Sequence, residues 1–445
     1  MTIADAAPQL AKGKLKSEKL TEECLSQIEA LNPKLNAFIT VTAKAALAEA
    51  RQADKDIAGG RYRGPLHGIP VSLKDLVDLK GVRTSAGSLV RADHVATADA
   101  TVTTRLRAAG AVFIGKTNLH EFAFGTTTED SGFGLARNPI DPTRSPGGSS
   151  GGSAIAIATG MSLGTVGTDT GGSIRIPAAA CGIVGLKPEW GEISASGVVP
   201  LSRQLDHVGP LASCVADAWI QYNAMLPAER QAEAVPAAGS LKGLRLGVPA
   251  GYLFDRLDAD VERGVMATIE MLRAAGATIT DVAVPHATDM AAIYLHLVLG
   301  DAAEYHARTL LSRPMDYTPN VRLRLEMARY VLAEDYVRAL RGKAVIAHEV
   351  DRALDGIDAL VLPALAIPAP PIGAATMPVK GGPEAVRTLM LRCTQLFNLS
   401  GHPAISLPCG TAHGGLPIGL QLAGHKGRTA SLVQTALAVE RAIAG

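Results

Sequence analysis

Two glycine- and serine-rich segments constrain the fold of this 445-residue chain more than any other feature of its sequence. The first is SPGGSSGGSAIAIATG, residues 145–160, and the second is GTDTGGSIRIPAAACG, residues 167–182. Glycine- and serine-rich tracts are typical of flexible linkers. Both segments, however, lie close together among apolar residues, about a third of the way into the chain. A folded chain must therefore use them for another purpose.

The composition indicates a folded protein with a large aliphatic core. Hydrophobic residues make up 47% of the chain and charged residues 19%, which excludes a disordered chain. Aromatic residues make up only 4%, so alanine, valine, isoleucine and leucine must fill the interior. The net charge is +1 and there is no basic block, so we predict no binding to nucleic acid or to a membrane surface. The length fits two or three domains or one large α/β domain.

The cysteines indicate a reducing compartment. They are odd in number, scattered and without a CxxC pair, so a disulfide framework is not expected. The first 19 residues contain no apolar signal-peptide core. We therefore predict a cytoplasmic protein. The five cysteines are Cys24, Cys181, Cys214, Cys393 and Cys409.

One charge-free stretch, residues 359–379, has the length of a membrane span. It contains five prolines, which remove backbone donors that a lipid-embedded helix requires. We interpret the stretch as a buried strand, ALVLPALA, followed by an extended loop.

Helical and strand patterns alternate along the chain. Residues 19–31 have helical periodicity, and we expect this helix to end before the Asn-Pro pair at 32–33. A second helix is predicted over residues 42–57, closed by a Gly-Gly pair. GIPVSLKDLV is predicted to contain a strand. Asp99 is predicted to cap a helix that ends at Gly110, and AVFIG after it to form a short buried strand.

The second half repeats the strand-helix-strand theme. LRLGVPA and ATITDVAVP flank a helix predicted over residues 259–275. Near the end, AISLPCG and GLQLAG are predicted strands and SLVQTALAVERAIA is a predicted final helix. This alternation favours an α/β layered fold with a largely parallel or mixed sheet. Residues 226–243, LPAERQAEAVPAAGSLKG, are predicted to be a surface linker between the two halves.

Two short motifs match functional sequence patterns, but the residues around them do not support those functions. GAVFIGKT, residues 110–117, matches the Walker A pattern, but its apolar variable positions are typical of a strand rather than a phosphate-binding loop. GGSSG, residues 147–151, matches the pattern of a hydrolase nucleophile elbow, but turn residues and not a buried strand precede it. A metal site has equally little support, because no HExxH is present and the histidines at 286, 296 and 306 are ten residues apart.

The second glycine-serine segment has the features of an oxyanion site. MSLGTVGTD is a predicted strand, so Thr170 to Ser173 lie where a strand gives way to a turn or helix. Glycines there allow backbone N–H groups to converge on an anion, such as the oxyanion of acyl transfer. A serine at that position can be a nucleophile, but its hydroxyl needs a base.

Neither segment contains a histidine, and Lys74 in GIPVSLKDLV is the remaining candidate for that base. An apolar strand would desolvate this lysine, lower its pKa and favour the neutral amine, which can take a proton. Taken singly, each residue also has an ordinary interpretation. Lys74 could be a surface lysine, Ser149 a loop serine and Ser173 a helix N-cap.

The joint pattern resembles the amidase signature family. The similarity covers most of the chain and is most specific in residues 65–212. It is carried by LHGIPVSLKDLVDLKGVRTSAGS, GKTNLHEFAFGTTTEDSGFGLARNP, SPGGSSGGSAIAIATG, GTDTGGSIRIPAAACGIVGLKP and LDHVGPLA, and then by NLSGHPAISLPCG and LPIGLQLAG. The resemblance implies one domain over residues 1–445, an α/β/α sandwich around a large twisted mixed sheet.

The resemblance also implies a reaction and its residues. The expected reaction is hydrolysis of a carboxylic amide to an acid plus ammonia or an amine. By resemblance, Ser173 is the acyl-accepting nucleophile, Ser149 the bridging serine after a cis peptide bond, and Lys74 the base. Thr170, Gly171 and Gly172 supply oxyanion N–H groups, and Ala123 lines the acyl pocket. No cofactor or metal is implied. The expected partner is a small-molecule amide, and a homodimer is left open.

Two alternatives within the same fold remain open. One is the A-type component of a tRNA-dependent glutamine amidotransferase, which supplies ammonia to a partner. In that component, the aspartate that holds the glutamine amino group lies seven residues before the NLAG asparagine, where this chain has Leu391 before Asn398. The other is a non-enzymatic binding protein, which the intact lysine and serine set disfavours. The effects of Gln204 and Glu189 on the pocket are left open.

Overall fold

The computed structural model describes residues 1–232 and 234–445. Within these residues, eleven strands form one mixed sheet and two more form a separate hairpin. The strands are β1 Phe38–Val41, β2 Pro70–Lys74, β3 Val112–Thr117, β4 Gly164–Asp169, β5 Val184–Lys187, β6 His207–Ala212, β7 Arg245–Pro249, β8 Thr278–Val282, β9 Ala359–Pro363, β10 Thr376–Val379, β11 Gly382–Ala385, β12 Ala404–Thr411 and β13 Pro417–Ala423.

Helices pack on both sides of this sheet. They are α1 Ile3–Ala11, α2 Ser17–Leu35, α3 Ala43–Ala58, α4 Thr101–Ala108, α5 Gly151–Ala158, α6 Arg175–Cys181, α7 Val215–Met225, α8 Ala259–Ala274, α9 Met290–Ser312, α10 Pro319–Ala328, α11 Ala333–Ala353, α12 Val386–Leu391, α13 Gln395–Leu399 and α14 Thr429–Ala444.

The strand order of the large sheet is β1-β3-β2-β4-β6-β5-β12-β13-β9-β7-β8. Strand β2 pairs in parallel with both β3 and β4, and β7 pairs in parallel with β8 and β9. The other pairs are antiparallel. The expected α/β class with a mixed sheet is therefore confirmed.

Strand β4 lies between β2 and β6 in the sheet, and close packing explains its two glycines. Every residue of β4 is buried. A Cβ added at Gly164 would lie 2.6 Å from the amide oxygen of Gln221, and one added at Gly167 would lie 2.6 Å from a methyl group of Leu211. Glycine in a strand interior often marks such a close approach. Neighbouring elements therefore pack directly against the strand that leads to the second glycine-serine segment.

Most predicted elements are confirmed at their expected positions. The strands predicted from GIPVSLKDLV, AVFIG, MSLGTVGTD, LRLGVPA, ATITDVAVP, ALVLPALA, AISLPCG and GLQLAG are present, as are the helices predicted at 42–57, 259–275 and the chain's end. The Walker-like segment is β3, fully buried, as its apolar residues indicate. Helix α5 follows a turn rather than a strand, so GGSSG is not a nucleophile elbow.

Two boundary predictions are wrong. Helix α2 does not end before the Asn-Pro pair but continues through Pro33 to Leu35, and Asn36 ends it in a left-handed conformation. The side chain of Asn32 donates to the carbonyl of Phe38 and accepts from its N–H, which holds the last turn against β1. Asp99 does not cap α4, because its carboxylate accepts hydrogen bonds from Lys80 and Arg107 instead.

The predicted linker, residues 226–243, contains a short 3-10 turn, Ala228–Arg230, and most of its described residues are at least partly exposed. Glu233, inside this interval, lies outside the described residues. Among the helices described, none has both the length and the apolar character needed to cross a membrane. All five cysteines are free thiols.

Candidate active site

Three segments around the parallel strands β2 and β4 bring the predicted catalytic residues into one buried region. Lys74 is the last residue of β2. Ser149 lies in the turn before α5, and Ser173 lies in the turn between β4 and α6. Because β2 and β4 are parallel neighbours, their carboxyl ends lie at the same edge of the sheet. This is the edge where α/β sheets usually bind ligands.

The amine of Lys74 is fully buried and directly hydrogen-bonded to one of the serines. Its Nζ lies 2.7 Å from Ser149 Oγ and 2.9 Å from Thr168 Oγ1. Within residues 1–232 and 234–445 it forms no ion pair with a carboxylate. Burial lowers the pKa of Lys74 to about 7, although the more distant carboxylates of Asp169 and Asp206 oppose the shift. A substantial fraction of the amine is therefore neutral near neutral pH.

The turn that carries Ser149 is held from two sides. The peptide bond between Gly148 and Ser149 is cis, as the resemblance implies. The His120 N–H donates to the Ser149 carbonyl at 3.1 Å, and the Thr128 hydroxyl donates to the Gly147 carbonyl at 2.8 Å. These contacts fix the backbone from which the Ser149 hydroxyl faces Lys74.

Ser173 lies beside this turn through a main-chain contact. The Ser150 N–H donates to the Ser173 carbonyl at 3.3 Å, and Ser173 is only 5% exposed. In the part of the chain that the structure describes, no hydrogen bond joins the hydroxyls of Ser149 and Ser173. The lysine and the first serine are thus in direct contact, whereas the second serine is brought near by the backbone. Catalytic hydrogen bonds often tighten only when substrate binds.

The turn from Thr170 to Ser173 presents backbone donors without protein acceptors. The carbonyls of its two glycines are engaged: Gly171 O accepts from Thr394 Oγ1 at 2.6 Å, and Gly172 O accepts from the Ile176 N–H at 2.7 Å. Over the described residues, however, none of the N–H groups of positions 170 to 173 donates to a protein atom. Buried N–H groups are rarely unpaired, so this turn can receive an anion.

Close contacts explain the two glycines of this turn. Gly172 has φ +143°, and a Cβ there would overlap the Thr394 hydroxyl. A Cβ on Gly171 would lie 2.6 Å from the hydroxyl oxygen of Tyr294. Side chains from α9 and from the segment before α13 therefore lie against the turn.

A buried ion pair between the residues that flank the turn, Asp169 and Arg175, holds it in place and was not predicted from the sequence. Asp169 and Arg175 are both fully buried, with 2.9 Å between Oδ1 and Nη2. Asp169 also accepts from the Ile174 N–H at 3.1 Å and from Asn398 Nδ2 at 2.8 Å. Burial alone would raise the pKa of Asp169, but Arg175, Lys187 and Asn398 outweigh it and hold that pKa well below its usual range.

Asp206 holds the other end of the turn and was also not predicted. Its Oδ1 accepts from Thr170 Oγ1 at 2.6 Å, and its Oδ2 accepts from the Leu201 N–H at 2.9 Å. Burial raises the pKa of Asp206 to about 6. Thr168, which contacts Lys74, was not predicted either, because its position depends on the register of β2 and β4, in which Leu73 pairs with Val166 and Thr168 follows two positions later.

The remaining sequence candidates have different positions. Ala123 is buried at the end of a 3-10 turn, Glu121–Ala123, with φ +59°, and its pocket role stays a prediction. Glu189 and Gln204 line a separate cavity of about 410 Å³ with Trp190 and Lys343. The predicted catalytic lysine and serines are not among the residues that line this cavity.

The Walker-like segment offers no phosphate cradle. Its lysine, Lys116, is buried within β3 and forms an ion pair with Asp75 at 3.1 Å. Among the described residues, no group of three His, Cys, Asp or Glu side chains is arranged to hold a metal ion.

Comparisons with known proteins give a consistent result. A family model described as Amidase matches residues 19–433. The A subunit of the glutamyl-tRNA(Gln) amidotransferase of Chloroflexus aurantiacus is 38% identical over 474 residues, covering 99% of this chain and 96% of that one. A crystal structure described as an amidase has a TM-score of 0.93 and 36% identity, with 99% of each chain covered. The peptide amidase of Stenotrophomonas maltophilia has a TM-score of 0.85 and 30% identity, covering 99% of this chain and 96% of that one.

Proposed function

The chain belongs to the amidase signature family, and from this premise we propose that it is a stand-alone hydrolase of linear, non-peptide carboxylic amides. The observation that carries the proposal is the 2.7 Å hydrogen bond between the buried Lys74 amine and Ser149. A buried amine with a lowered pKa can accept a proton near neutral pH, which a solvated lysine cannot do. The unpaired N–H groups beside Ser173 add the second requirement of acyl transfer.

The proposed reaction uses a relay of two hydroxyls. Neutral Lys74 takes the proton of Ser149, which takes the proton of Ser173 as that oxygen attacks the amide carbonyl. The tetrahedral oxyanion lies against the N–H groups of the turn that begins at Thr170. The proton returns along the relay to the leaving nitrogen, the C–N bond breaks, and an ester on Ser173 remains. Water then hydrolyses the ester by the same route.

The test is an ammonia-release screen across simple amides with purified protein. We expect Ser173→Ala to lower turnover by at least about a thousandfold while the circular dichroism spectrum stays unchanged. Ser162→Ala is the matched control, because Ser162 is a buried serine whose hydroxyl donates to the backbone carbonyls of Pro70 and Gly164. If Ser173→Ala hydrolyses amides as fast as an active Ser162→Ala control, Ser173 is not the nucleophile.

The names of the most similar sequences favour a second candidate, an A-type amidotransferase component that supplies ammonia to a partner. The position expected to hold the glutamine amino group is Leu391, which is buried and apolar and offers no charge to an ammonium. This candidate predicts co-purification with partner chains and transfer of ammonia to an acceptor. Free ammonia release by the isolated chain supports the stand-alone hydrolase. We also propose that it acts on a small molecule in the cytoplasm.

A further inference from the structure

The cavity beside α11 has no part in the proposed reaction, because neither the lysine nor the serines of the catalytic site line it. Its volume of about 410 Å³ is within the range of pockets that hold small molecules. Helix α11 contributes Leu340, Ala344 and Ala347 to its wall, and the last residue of α13, Leu399, adds a fourth apolar side chain. Trp190 adds an aromatic one. We call this space the α11 cavity, and a molecule that fills it needs an apolar body.

A lysine without a carboxylate partner lines the α11 cavity. Lys343 Nζ lies 5.3 Å from the ring centroid of Trp190 and donates to the Gln204 carbonyl at 2.8 Å. In the part of the chain that the structure describes, no carboxylate lies within ion-pair distance of this amine. Burial lowers the pKa of Lys343, although Asp301 opposes the shift, and Lys426 is close enough to lower that pKa further. A partly buried ammonium group of this kind favours an anion beside it.

The other two charged residues that line the α11 cavity have protein partners. The carboxylate of Glu189 accepts from the Gly427 N–H. Lys426 pairs with Asp351 at 3.2 Å, but the two side chains are 36% and 49% exposed, and such a pair contributes little. Among the described residues that line the cavity, two thus carry an ammonium group and one a carboxylate. This excess of one positive charge favours a singly charged anion.

A buried hydroxyl adds a hydrogen-bonding group to the α11 cavity. Ser400 lines the cavity and is only 4% exposed, yet its Oγ has no hydrogen-bond partner among residues 1–232 and 234–445. Leaving a buried polar group unpaired costs free energy. The Ser400 N–H donates to the Leu396 carbonyl at 3.0 Å, and the Gly401 carbonyl accepts from the Trp190 N–H at 3.0 Å, so the backbone around this serine is fixed. An acceptor atom on a bound molecule would satisfy the hydroxyl.

We propose that the α11 cavity is a second binding site, which takes a small monocarboxylate with an apolar ring. The carboxylate group binds the Lys343 ammonium and accepts a hydrogen bond from the Ser400 hydroxyl. The ring packs against the apolar side chains of α11 and Leu399. A charge-assisted hydrogen bond supplies more affinity than a neutral one, so the carboxylate is the group that fixes the orientation. Binding here uses no chemistry at Ser173 and therefore does not rest on the proposed function.

The α11 cavity adjoins two segments that hold the oxyanion turn. Leu399 follows Asn398, whose amide donates to Asp169 at 2.8 Å. Gln204 lies two residues before Asp206, which accepts from the first residue of the turn. A carboxylate bound in the cavity therefore lies beside the supports of the turn and leaves the serines open to an amide.

The experiment uses Trp190 as a probe of the cavity. The chain has two tryptophans, so Trp219→Phe leaves Trp190 as the only one. Trp219 is buried against Tyr222, and phenylalanine keeps an aromatic ring at that position. We expect benzoate and cyclohexanecarboxylate to change the fluorescence of Trp219→Phe saturably, with calorimetry on the wild type giving the same affinity. Acetate lacks the ring and cyclohexylmethanol lacks the charge, so both should bind at least about tenfold more weakly.

Two results of these titrations would overturn the inference. One is the absence of saturable binding by either ring carboxylate. The other is equal affinity for cyclohexanecarboxylate and its neutral alcohol. Phenylphosphonate tests the charge of the anion, because it carries more than one negative charge near neutral pH. Tighter binding of phenylphosphonate than of benzoate would contradict the assignment to a monocarboxylate.

Variants assign the binding to the lysine and the hydroxyl. Lys343→Gln should weaken binding at least about tenfold, and Lys343→Arg, which keeps the charge, should retain part of it. Ser400→Ala should weaken binding roughly three- to tenfold without lowering the free energy of unfolding, because its hydroxyl has no described protein partner to lose. Ser406→Ala is the matched control, since Ser406 also has a buried hydroxyl without a described partner but lies in β12, away from the cavity lining. Undiminished binding in Lys343→Gln and Ser400→Ala, or an equal loss in Ser406→Ala, would contradict the assignment.

Kinetics separate the α11 cavity from the catalytic site, and this readout alone needs the proposed hydrolysis. Cyclohexanecarboxylate should leave the KM of an amide substrate within about twofold, and Ser173→Ala should bind it with unchanged affinity. Competitive inhibition, or a loss of binding in Ser173→Ala, would place the anion at Ser173 and overturn the inference. If no amide is hydrolysed but binding depends on Lys343 and Ser400, the hydrolase proposal fails and the second binding site stands.

Discussion

The protonation state of Lys74 determines, at the scale of one residue, when the proposed site can act. Burial lowers the pKa of this amine from 10.5 to about 7. Below that pKa the amine is protonated and cannot take a proton, and above it the neutral fraction saturates. We expect kcat/KM for a neutral amide to rise about tenfold per pH unit below pH 7 and to level off above about pH 8. A pH–rate profile measures this.

The control for this profile is Lys74→Arg, which stays charged at every accessible pH. It should lose activity across the whole range rather than shift the profile. A wild-type rate that is constant between about pH 6 and pH 9, with the chemical step shown to be limiting, would contradict the role of the amine.

Single residues also show what could be predicted from sequence at the site. Lys74 and Ser173 were proposed from their chemical setting and, together with Ser149, from motifs that resemble a family. Their catalytic roles stay predictions, and the structure places Lys74 in direct contact with Ser149. Thr168 and Asp206 were missed, because strand register creates the hydrogen bond of Thr168 to Lys74, and a loop creates those of Asp206. Threonine and aspartate at such positions have many ordinary uses, so composition and spacing carry no signal for them.

At the scale of the element, the turn between β4 and α6 depends on a glycine that no other residue can replace. Gly172 combines φ +143° with a direct approach of the Thr394 hydroxyl. We expect Gly172→Ala to lower kcat/KM by at least about tenfold and the free energy of unfolding by roughly 1–3 kcal/mol, because the added methyl displaces the turn. Steady-state kinetics and urea denaturation measure the two effects.

Gly410→Ala separates backbone strain from crowding. Gly410 has a similar φ, +150°, but a Cβ there would meet nothing within 4 Å. We expect Gly410→Ala to lower the free energy of unfolding without lowering kcat/KM. If Gly172→Ala is as active as Gly410→Ala, the turn does not require its close packing.

Helices and strands with a strong hydrophobic periodicity were predicted well, whereas the residues at which they begin and end were predicted less well. Helix α8 lies within one residue of its expected range because apolar and capping signals agree there. Helix α2 passes through Pro33, since a proline near the last turn costs few hydrogen bonds when Asn32 ties that turn to Phe38. Helices α9 to α11 were not predicted, and tertiary packing, which a short sequence window does not contain, stabilises such helices.

At the scale of the whole molecule, strand order assembles the site. Lys74 and Thr168 are adjacent because β2 lies between β3 and β4, although 94 positions separate them in sequence. Hydrogen-bond pairing between distant strands leaves no local mark in a sequence. The mixed α/β class followed from alternating patterns, whereas the strand order did not. The single domain over residues 1–445 stays a prediction.

Arg175 joins the two halves of the chain beneath the site. Its guanidinium bonds to Asp169 in the first half and to the Thr394 carbonyl, Asn398 and Gln421 in the second. Removing one partner of a buried ion pair leaves an unpaired charge. We therefore expect Arg175→Met to lower the free energy of unfolding, measured in urea, by about 3–5 kcal/mol.

The control for the expected loss of stability in Arg175→Met is an exposed ion pair between the same residue types. Arg245 is half-exposed and bonds to Asp358 at 2.7 Å, so Arg245→Met should cost less than about 1 kcal/mol. Adding Asp169→Leu to Arg175→Met removes the stranded carboxylate and should recover part of the loss. If Arg175→Met costs no more than Arg245→Met, this network does not hold the two halves together. The turn that carries Ser173 would then depend on its local contacts with Thr394 and Asp206 alone.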